Sequence, residues 1–398
     1  MSKTISIVGL GYIGLPLALA ASNSGHHVIG IDTDQFKVDQ INKGISPIED
    51  VSDAQLSLVL KNANLIATNN FKFIKDSEIT IICVPTPLGS NRKPDLSYVQ
   101  KAIELISPYL IKGALIVLES TVAPGTTRNL LPALVERYSK LPSSEFYFAY
   151  SSERVDPLNK HWNLKNTPKI VAGLDSESKE RARVFYAGFV DQVIEAESLE
   201  SAELAKLLEN SFRLINISFI NEFAMYCQEK GINVNEVIFL ASSKPYGFMP
   251  FYPSIGVGGH CIPVDPLYLA DSAREIGAST RFLDLADQIN LAMPNYFINR
   301  AIAILKSLKG KKILVIGLSY KPNVADVRES PVMALVAGLT QNGAVVSWHD
   351  DLVKEWNGEK SVALSNKYDL AILATPHDFL DLTKLGDVPI LYTRGSVQ

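Results

Sequence analysis

Short apolar, β-rich runs alternate with stretches of helical period at both ends of the chain, and the middle reads as helix alone. Residues 5–8 form the first run, which ends in Gly9-Leu10-Gly11-Tyr12-Ile13-Gly14; an apolar helical stretch follows over 15–21. Runs at 28–31, 79–84 and 115–118 end in Asp32, Pro85-Thr86-Pro87 and Glu119-Ser120-Thr121. Strands alternating with helices predict a parallel doubly wound sheet, whose ligands lie beyond the C-terminal strand ends. Residues 198–230 and 267–308 read as helical, separated by a loop rich in glycine, proline and aromatics over 244–266. A loop of that length marks a functional segment.

The last hundred residues restart the opening. Ile5-Ser6-Ile7-Val8-Gly9-Leu10 is echoed by Ile313-Leu314-Val315-Ile316-Gly317-Leu318, residues 25–32 by 343–350, and residues 81–87 more loosely by 372–376. In the second copy Gly11 and Gly14 become Ser319 and Pro322, and the distance from first glycine to second-strand glycine grows from 16 to 26 residues. That copy has lost the dinucleotide fingerprint and gained a loop over 319–330, so it is expected to hold a different ligand. The predicted fold is therefore two Rossmann-like doubly wound parallel-sheet domains joined by a central all-helical domain. The expected boundaries are 1–195, 196–300 and 301–398.

Composition narrows the class. With 398 residues, 38 basic and 42 acidic side chains, the chain carries −4 and has no broad basic face for nucleic acid. At 47% apolar and 20% charged it can bury large cores. Three cysteines suit a reducing cytoplasm better than a disulfide framework. No apolar run reaches the roughly 18 residues of a membrane helix. Residues 1–22 mimic a secretory leader around Ala18-Leu19-Ala20, but Gly9, Gly11, Gly14 and Pro16 interrupt the stretch, so it is expected to stay in the folded domain.

Three groups of residues carry chemistry. In the first fingerprint Gly9 permits a tight turn, Gly11 lets backbone approach a pyrophosphate, and Gly14 allows close helix–strand packing. Asp32, 18 residues after Gly14, is placed to accept from an adenosine ribose, which favours NAD over NADP. In the loop Gly256-Val257-Gly258-Gly259-His260-Cys261-Ile262-Pro263-Val264-Asp265-Pro266, Cys261 reads as a nucleophile with a carboxylate four residues on, or as a buried turn cysteine. Cys83 and Cys227 sit in apolar surroundings and read as packing. On the 198–230 helix, Glu203, Lys206, Asn210 and Arg213 form one stripe, either facing a cleft or solvated. Glu153, and the cations Lys321 and Arg328 on the second copy's loop, complete the candidates. The histidines show no metal-ligand spacing, so no metal is expected.

These ordered motifs resemble the UDP-glucose/GDP-mannose dehydrogenase family over about residues 3–395. The family pattern is carried by the glycine fingerprint with Asp32, Val84-Pro85-Thr86-Pro87, Ser120-Thr121-Val122, Glu153, Lys206 with Asn210, Gly258-Gly259-His260-Cys261, Asp265, and Lys321-Pro322 with Arg328. The resemblance implies an NAD domain, a central helical dimerisation domain and a UDP-binding domain. It implies oxidation of a sugar C6 alcohol to a carboxylate with two NAD+ and no metal, through a thiohemiacetal and then a thioester on Cys261. Lys206 and Asn210 would stabilise oxyanions, Thr121 and Asp265 would handle protons, and Glu153 would assist hydrolysis. The cofactor would meet Gly9, Gly11, Tyr12, Ile13, Gly14, Asp32, Thr86 and Thr121. The UDP-sugar would meet Glu153, Arg154, Lys206, Asn210, Gly258, Lys321 and Arg328, the last acting across a subunit boundary. A cytoplasmic homodimer formed through the central helices, with neither nucleic-acid nor membrane partners, is implied.

Departures refine the substrate. UDP-glucose enzymes usually carry a lysine where Val264 stands and a second glutamate where Pro157 stands. The strings SSERVDP and GVGGHCIPVDP resemble the branch acting on UDP-N-acetylhexosamines. UDP-N-acetylglucosamine is the first expectation, UDP-N-acetylmannosamine the second and UDP-glucose the third. Arg394 lacks the acid often found before it. Two rivals are a 3-hydroxyacid dehydrogenase, which would need neither Cys261 nor a second βαβ domain, and a nucleotide-sugar-binding regulator, which would be expected to lose the nucleophile.

Overall fold

The computed structural model describes residues 2–62, 64–156, 159 and 161–394. Pro157, the last residue of the string SSERVDP, lies outside the described residues. The chain divides into two compact units, Met1–Leu208 and Glu209–Gln398.

The first unit is built on an eight-stranded sheet in the order β3-β2-β1-β4-β5-β6-β7-β8. Its strands are β1 (Thr4–Val8), β2 (His27–Ile31), β3 (Leu65–Thr68), β4 (Ile79–Ile82), β5 (Leu115–Leu118), β6 (Tyr147–Tyr150), β7 (Lys169–Gly173) and β8 (Val193–Glu195). Helices α1 (Gly14–Asn23), α2 (Gln35–Asn42), α3 (Asp53–Lys61), α4 (Ser97–Ile106), α5 (Thr126–Asn129), α6 (Leu131–Ser139) and α7 (Ser176–Tyr186) connect them. Separate apolar clusters cover the two faces, one around Ile5, Ile7, Leu15 and Ile81, the other around Val8, Ile31, Ile82 and Leu118. A sheet buried on both faces explains why β5 is an unbroken apolar run and why every residue of β4, Thr80 included, is buried. β3, β7 and β8 were not legible in the pattern. β3 alternates buried and exposed positions at the sheet edge. β7 runs antiparallel to β6, pairing Tyr150 with Ala172, while the other pairs are parallel.

Helix α8 (Leu199–Lys230) starts in the first unit and continues into the second. There α9 (Val234–Ser242), α10 (Asp265–Glu275) and α11 (Arg281–Leu305) follow. The single helical stretch expected over 267–308 is two helices, because the chain reverses at Gly277 (φ +73°). α10 also begins earlier than expected, at Asp265, with Pro266 in its first turn, where a missing N–H costs nothing. The second sheet, in the order β10-β9-β13-β14, joins β9 (Lys312–Ile316), β10 (Val345–His349), β13 (Leu370–Leu373) and β14 (Ile390–Tyr392), all parallel. A two-stranded ribbon, β11 (Glu355–Trp356) with β12 (Glu359–Lys360), stands apart from it. Met293, Phe297, Ile298 and Ala301 of α11 share a core with β9, β13 and α12 (Pro331–Gln341). Gly338 of α12 gives the close approach: a Cβ there would lie 2.3 Å from Ile298 Cδ1. No described helix is long and apolar enough to cross a membrane.

The internal repeat is structural. Gly9 (φ +96°) and Gly317 (φ +85°) turn the chain at the ends of β1 and β9. Gly9 N–H donates to Ile31 O at 2.7 Å and Gly317 N–H to His349 O at 2.8 Å. The next residue in each copy donates to the aspartate after the second strand: Leu10 N–H to Asp32 Oδ2 at 2.9 Å, Leu318 N–H to Asp350 Oδ2 at 2.8 Å.

In the second copy the strap is closed completely. Asp350 is 1% exposed and also accepts from the N–H groups of Ser319, Leu352 and Val353. His377 Nε2 lies 3.2 Å from its other oxygen, Oδ1. Asn323 N–H donates to His377 Nδ1, which leaves the ring proton on Nε2, facing Asp350. Burial pushes this carboxyl up, but His377 and the backbone donors outweigh it and bring it down to about 2. A depressed carboxylate stabilises the fold above its unfolded pKa and loses that contribution as pH falls through the folded value. The contribution is on the order of 2 kcal/mol. Asp350→Asn should therefore lower thermal stability at pH 7 and flatten the loss of stability between about pH 4 and pH 2. An unchanged acid limb in thermal melts of that variant would refute this role for Asp350.

Candidate active site

The cofactor end is assembled by the first unit. A Cβ on Gly14 would lie 1.8 Å from Gly9 O, and one on Gly9 would lie 2.7 Å from Cys83 O. Both glycines are thus forced by packing of α1 and β4 against the turn. Gly11 differs: a Cβ there meets nothing within 4 Å, so the space above it is open. Helix α1 has no side-chain cap on its N-terminus and no acid in its first turn. An uncapped positive helix end beside open space accommodates a pyrophosphate. Tyr12 and Ile13 form the turn into this helix, and the Tyr12 hydroxyl donates to Glu49.

Asp32, 8% exposed, accepts from Leu10 N–H and Lys37 Nζ on Oδ2 and from Asp34 N–H on Oδ1. A carboxylate has about four acceptor sites, so one is left for a ribose hydroxyl. The residues fit NAD. Lys37, 2.7 Å from Asp32 in the first turn of α2, is a member of this site that the sequence reading missed. Its signal was its position five residues after the strand-end aspartate.

Thr86 and Thr121 are half-buried in the loops after β4 and β5. Ser120 ties those loops together, its hydroxyl donating to Val84 O at 2.7 Å. Glu203 of α8 anchors the next part of the loop, accepting from Gly125 N–H at 2.6 Å and Thr127 N–H at 2.8 Å. The stripe of α8 is therefore not a solvated face: Glu203 and Asn210 are buried, Lys206 is half-buried and only Arg213 is exposed. Of the apolar flanks, Leu207 and Leu214 are buried, whereas Leu204, Leu208 and Phe212 are exposed.

Glu153 lies in the loop after β6. Its Oε1 accepts from the N–H groups of Arg154 and Val155, both at 2.7 Å. The Arg154 guanidinium donates to Pro168 O at 2.8 Å. Burial pushes the Glu153 carboxyl up, but Lys169, the two backbone N–H groups and Lys206 bring it below the ordinary glutamate value.

Cys261 lies in the second unit. Cys261 is exposed, whereas Cys83 and Cys227 are buried, and burial pushes both of their thiols up. Cys261 C=O accepts from Asp265 N–H at 2.8 Å and Val264 N–H at 3.1 Å, so cysteine and aspartate sit one helical turn apart at the head of α10. Asn210 Nδ2 donates to Asp265 Oδ2 at 2.6 Å, joining two predicted residues 55 positions apart.

The glycines before Cys261 are explained by what they touch. A Cβ on Gly258 would lie 2.6 Å from Glu329 O, and one on Gly259 (φ +83°) 2.8 Å from the Tyr320 ring. Gly259 N–H donates to Arg328 O at 3.0 Å. The cysteine loop is thus laid on the 319–330 loop that carries Lys321 and Arg328. Arg328 is exposed and pairs with Asp326 of its own loop at 2.6 Å, while Lys321 is half-buried. Burial, with Arg328 nearby, lowers the His260 imidazole. Buried Asn290 of α11 holds the loop's other end, accepting from Val257 N–H at 2.7 Å; no sequence signal marked it. Among the described residues no group of three or more His, Cys, Asp or Glu could hold a metal ion.

Known proteins match this organisation. The NAD binding, central and UDP binding domains of the UDP-glucose/GDP-mannose dehydrogenase family match residues 3–190, 200–292 and 314–391. The chain is 35% identical to a UDP-N-acetyl-D-mannosamine dehydrogenase of Methanococcus maripaludis, over 97% of this chain and 89% of the relative. It is 35% identical to an NDP-N-acetyl-D-galactosaminuronic acid dehydrogenase of Ralstonia nicotianae, over 99% and 96%. The structure of a UDP-D-ManNAc dehydrogenase from Pyrococcus horikoshii superposes with a TM-score of 0.91 at 32% identity, covering 99% of this chain and 96% of that one. The chain belongs to the UDP-glucose/GDP-mannose dehydrogenase family and is an NAD-dependent nucleotide-sugar 6-dehydrogenase, an oxidoreductase. This sets aside the hydroxyacid dehydrogenase and the inactive regulator.

The contrast between glycines is testable. Gly14→Ala should abolish stable folding of the first unit. Gly11→Ala should melt within about 2 °C of the wild type yet bind NAD+ at least about tenfold more weakly, because the added methyl fills the ligand's space. Titration of NAD+ by calorimetry checks this; unaltered binding by the Gly11 variant would remove the pyrophosphate from this turn.

Proposed function

We propose that this enzyme oxidises the C6 hydroxymethyl group of a UDP-N-acetylhexosamine to a carboxylate by covalent catalysis on Cys261. The observation that carries the reading is the pairing of an exposed cysteine with Asp265 one turn away, itself held by Asn210. The turn at Gly9, Gly11 and Gly14 and the Asp32 carboxylate would hold NAD+, which when bound would supply the hydride acceptor for each of two oxidations. Cys261 Sγ bonds C6 of the intermediate aldehyde, forming a thiohemiacetal that becomes a thioester. Lys206 and the Asn210 amide stabilise the oxyanion at O6, where preorganised donors are worth most. Asp265 and Thr121 hold protons leaving O6, and Glu153 assists the hydrolytic water. Lys321 and Arg328 hold the diphosphate, and Gly258 lets the sugar approach the backbone. We take 1–195, 196–300 and 301–398 as the NAD, central and UDP-sugar domains.

The substrate class is supported by relatives named for N-acetylmannosamine and N-acetylgalactosaminuronic acid, and by Val264 where a lysine marks UDP-glucose enzymes. The gluco epimer, first choice from the sequence strings, gains no support from these relatives. We place UDP-N-acetylmannosamine ahead of UDP-N-acetylglucosamine. We further infer a cytoplasmic homodimer through the central helices, which would cover the exposed Leu204, Leu208, Phe212 and Phe219 of α8.

NADH production with UDP-N-acetylmannosamine, UDP-N-acetylglucosamine and UDP-glucose, side by side, tests the reading. An N-acetyl sugar should yield two NADH per molecule. Cys261→Ser should lose on the order of 10³-fold or more in turnover. Activity on UDP-glucose alone would overturn the N-acetyl assignment, and sustained turnover at one NADH per sugar would overturn the thioester.

A further inference from the structure

A group of buried charges sits at the C-terminal ends of β5 and β6, and the catalytic reading leaves most of it unused. Because β7 runs antiparallel to β6, its first residue, Lys169, is delivered to the ligand end of the sheet. Lys169 is 3% exposed, with Nζ 2.9 Å from Glu119 Oε2 and 3.4 Å from Glu153 Oε2. Glu119, 1% exposed, follows β5, and the Tyr186 hydroxyl of α7 donates to its Oε1. Both oxygens of Glu153 are therefore fixed, Oε1 by two backbone N–H groups and Oε2 by the ammonium.

A buried ion cluster is weak as a stabilising device, since apolar side chains of similar volume do as well or better. Its placement beside the one glutamate assigned to hydrolysis argues for a task. We propose that Lys169, backed by Glu119, is a positioning residue that locks the Glu153 carboxylate for hydrolysis of the Cys261 thioester. This inference rests on the covalent reading above. In the step, a water oxygen bonds to C6 and one water proton passes to Glu153. The C6–Sγ bond then breaks, its electron pair leaving with Sγ as thiolate. The carboxylic acid product and Glu153 each release a proton to solvent.

The groups facing Glu153 are Lys169 of β7, Lys206 of α8, and Glu119, Cys83 and Tyr186 around the buried cluster. Burial pulls the Lys169 ammonium down, but Glu119 and Glu153 outweigh it and push it above the ordinary lysine value. Burial pushes Glu119 above the ordinary glutamate value. Lys169 thus stays a cation, and Glu153 is kept ionised and able to take a proton from water.

Lys169→Met alone would strand the Glu119 charge, so the test uses the charge-balanced Glu119→Gln/Lys169→Met pair, with Lys169→Arg as the conservative variant. With the N-acetyl sugar that the wild type turns over, the double variant should lose about ten- to a hundredfold in kcat with KM within about twofold. NADH should appear in a burst of two per active site, and intact mass spectrometry should find a sugar adduct on Cys261 with a lifetime lengthened in proportion. The acidic limb of the kcat–pH profile should move to higher pH, because a cation that favours the ionised glutamate has gone. Lys169→Arg should recover most of the rate. Equal slowing of burst and steady state without adduct, or a lower melting temperature with an unmoved acidic limb, would overturn the inference alone. Absence of any Cys261-dependent NADH in the wild type would overturn the covalent reading and this inference with it.

Discussion

The constraint on which both sheets depend is a strap between a positive-φ glycine turn and the aspartate after the neighbouring strand. The glycine reverses the chain so tightly that the next amide points across to that aspartate, at 2.9 Å in the first copy and 2.8 Å in the second. No side chain is tolerated at the reversal, because a carbonyl beyond the neighbouring strand closes over it: Cys83 O after β4 in one copy, Thr375 O after β13 in the other. Such a strap fixes where the strand ends stop, and hence where a ligand can lie.

The two copies diverge where the strap is used. Asp32 keeps an acceptor site for a ribose, and its helix begins at once, at Gly14. Asp350 spends its acceptors on four backbone N–H groups and His377, and its helix does not begin until Pro331. The residues in between become the platform on which Gly258 and Gly259 lie. One βαβ scheme thus yields an open helix N-terminus beside Asp32 in one place and a seat for the Cys261 loop in the other.

Polar burial does the remaining positioning. Glu203 and Asn210 turn inward because each has a specific partner, the Gly125 and Thr127 amides for one and Asp265 for the other. A buried polar group without such partners would cost more than the exposed Leu204 and Leu208 do. Glu203 and Asn210 are therefore buried beside Leu207 and Leu214, and hydrogen-bond satisfaction and apolar burial together set the rotation of the helix.

The sequence by itself determined the doubly wound scheme, the repeat and most of the candidate residues, because glycine turns, strand-end acids and apolar periodicity are local properties of the chain. Asp32, Asn210, Cys261 and Asp265 were all legible in this way. Lys37, Asn290, Tyr320 and the Lys169–Glu119 pair were not. Lys169 opens a strand whose direction is set only by its pairing with β6, and Glu119 reads as one more polar residue after β5. Which face of α8 is buried, and which two loops lie on each other, follow from partners dozens of residues away. No window of sequence contains both members of such a contact, so only the tertiary structure could decide them.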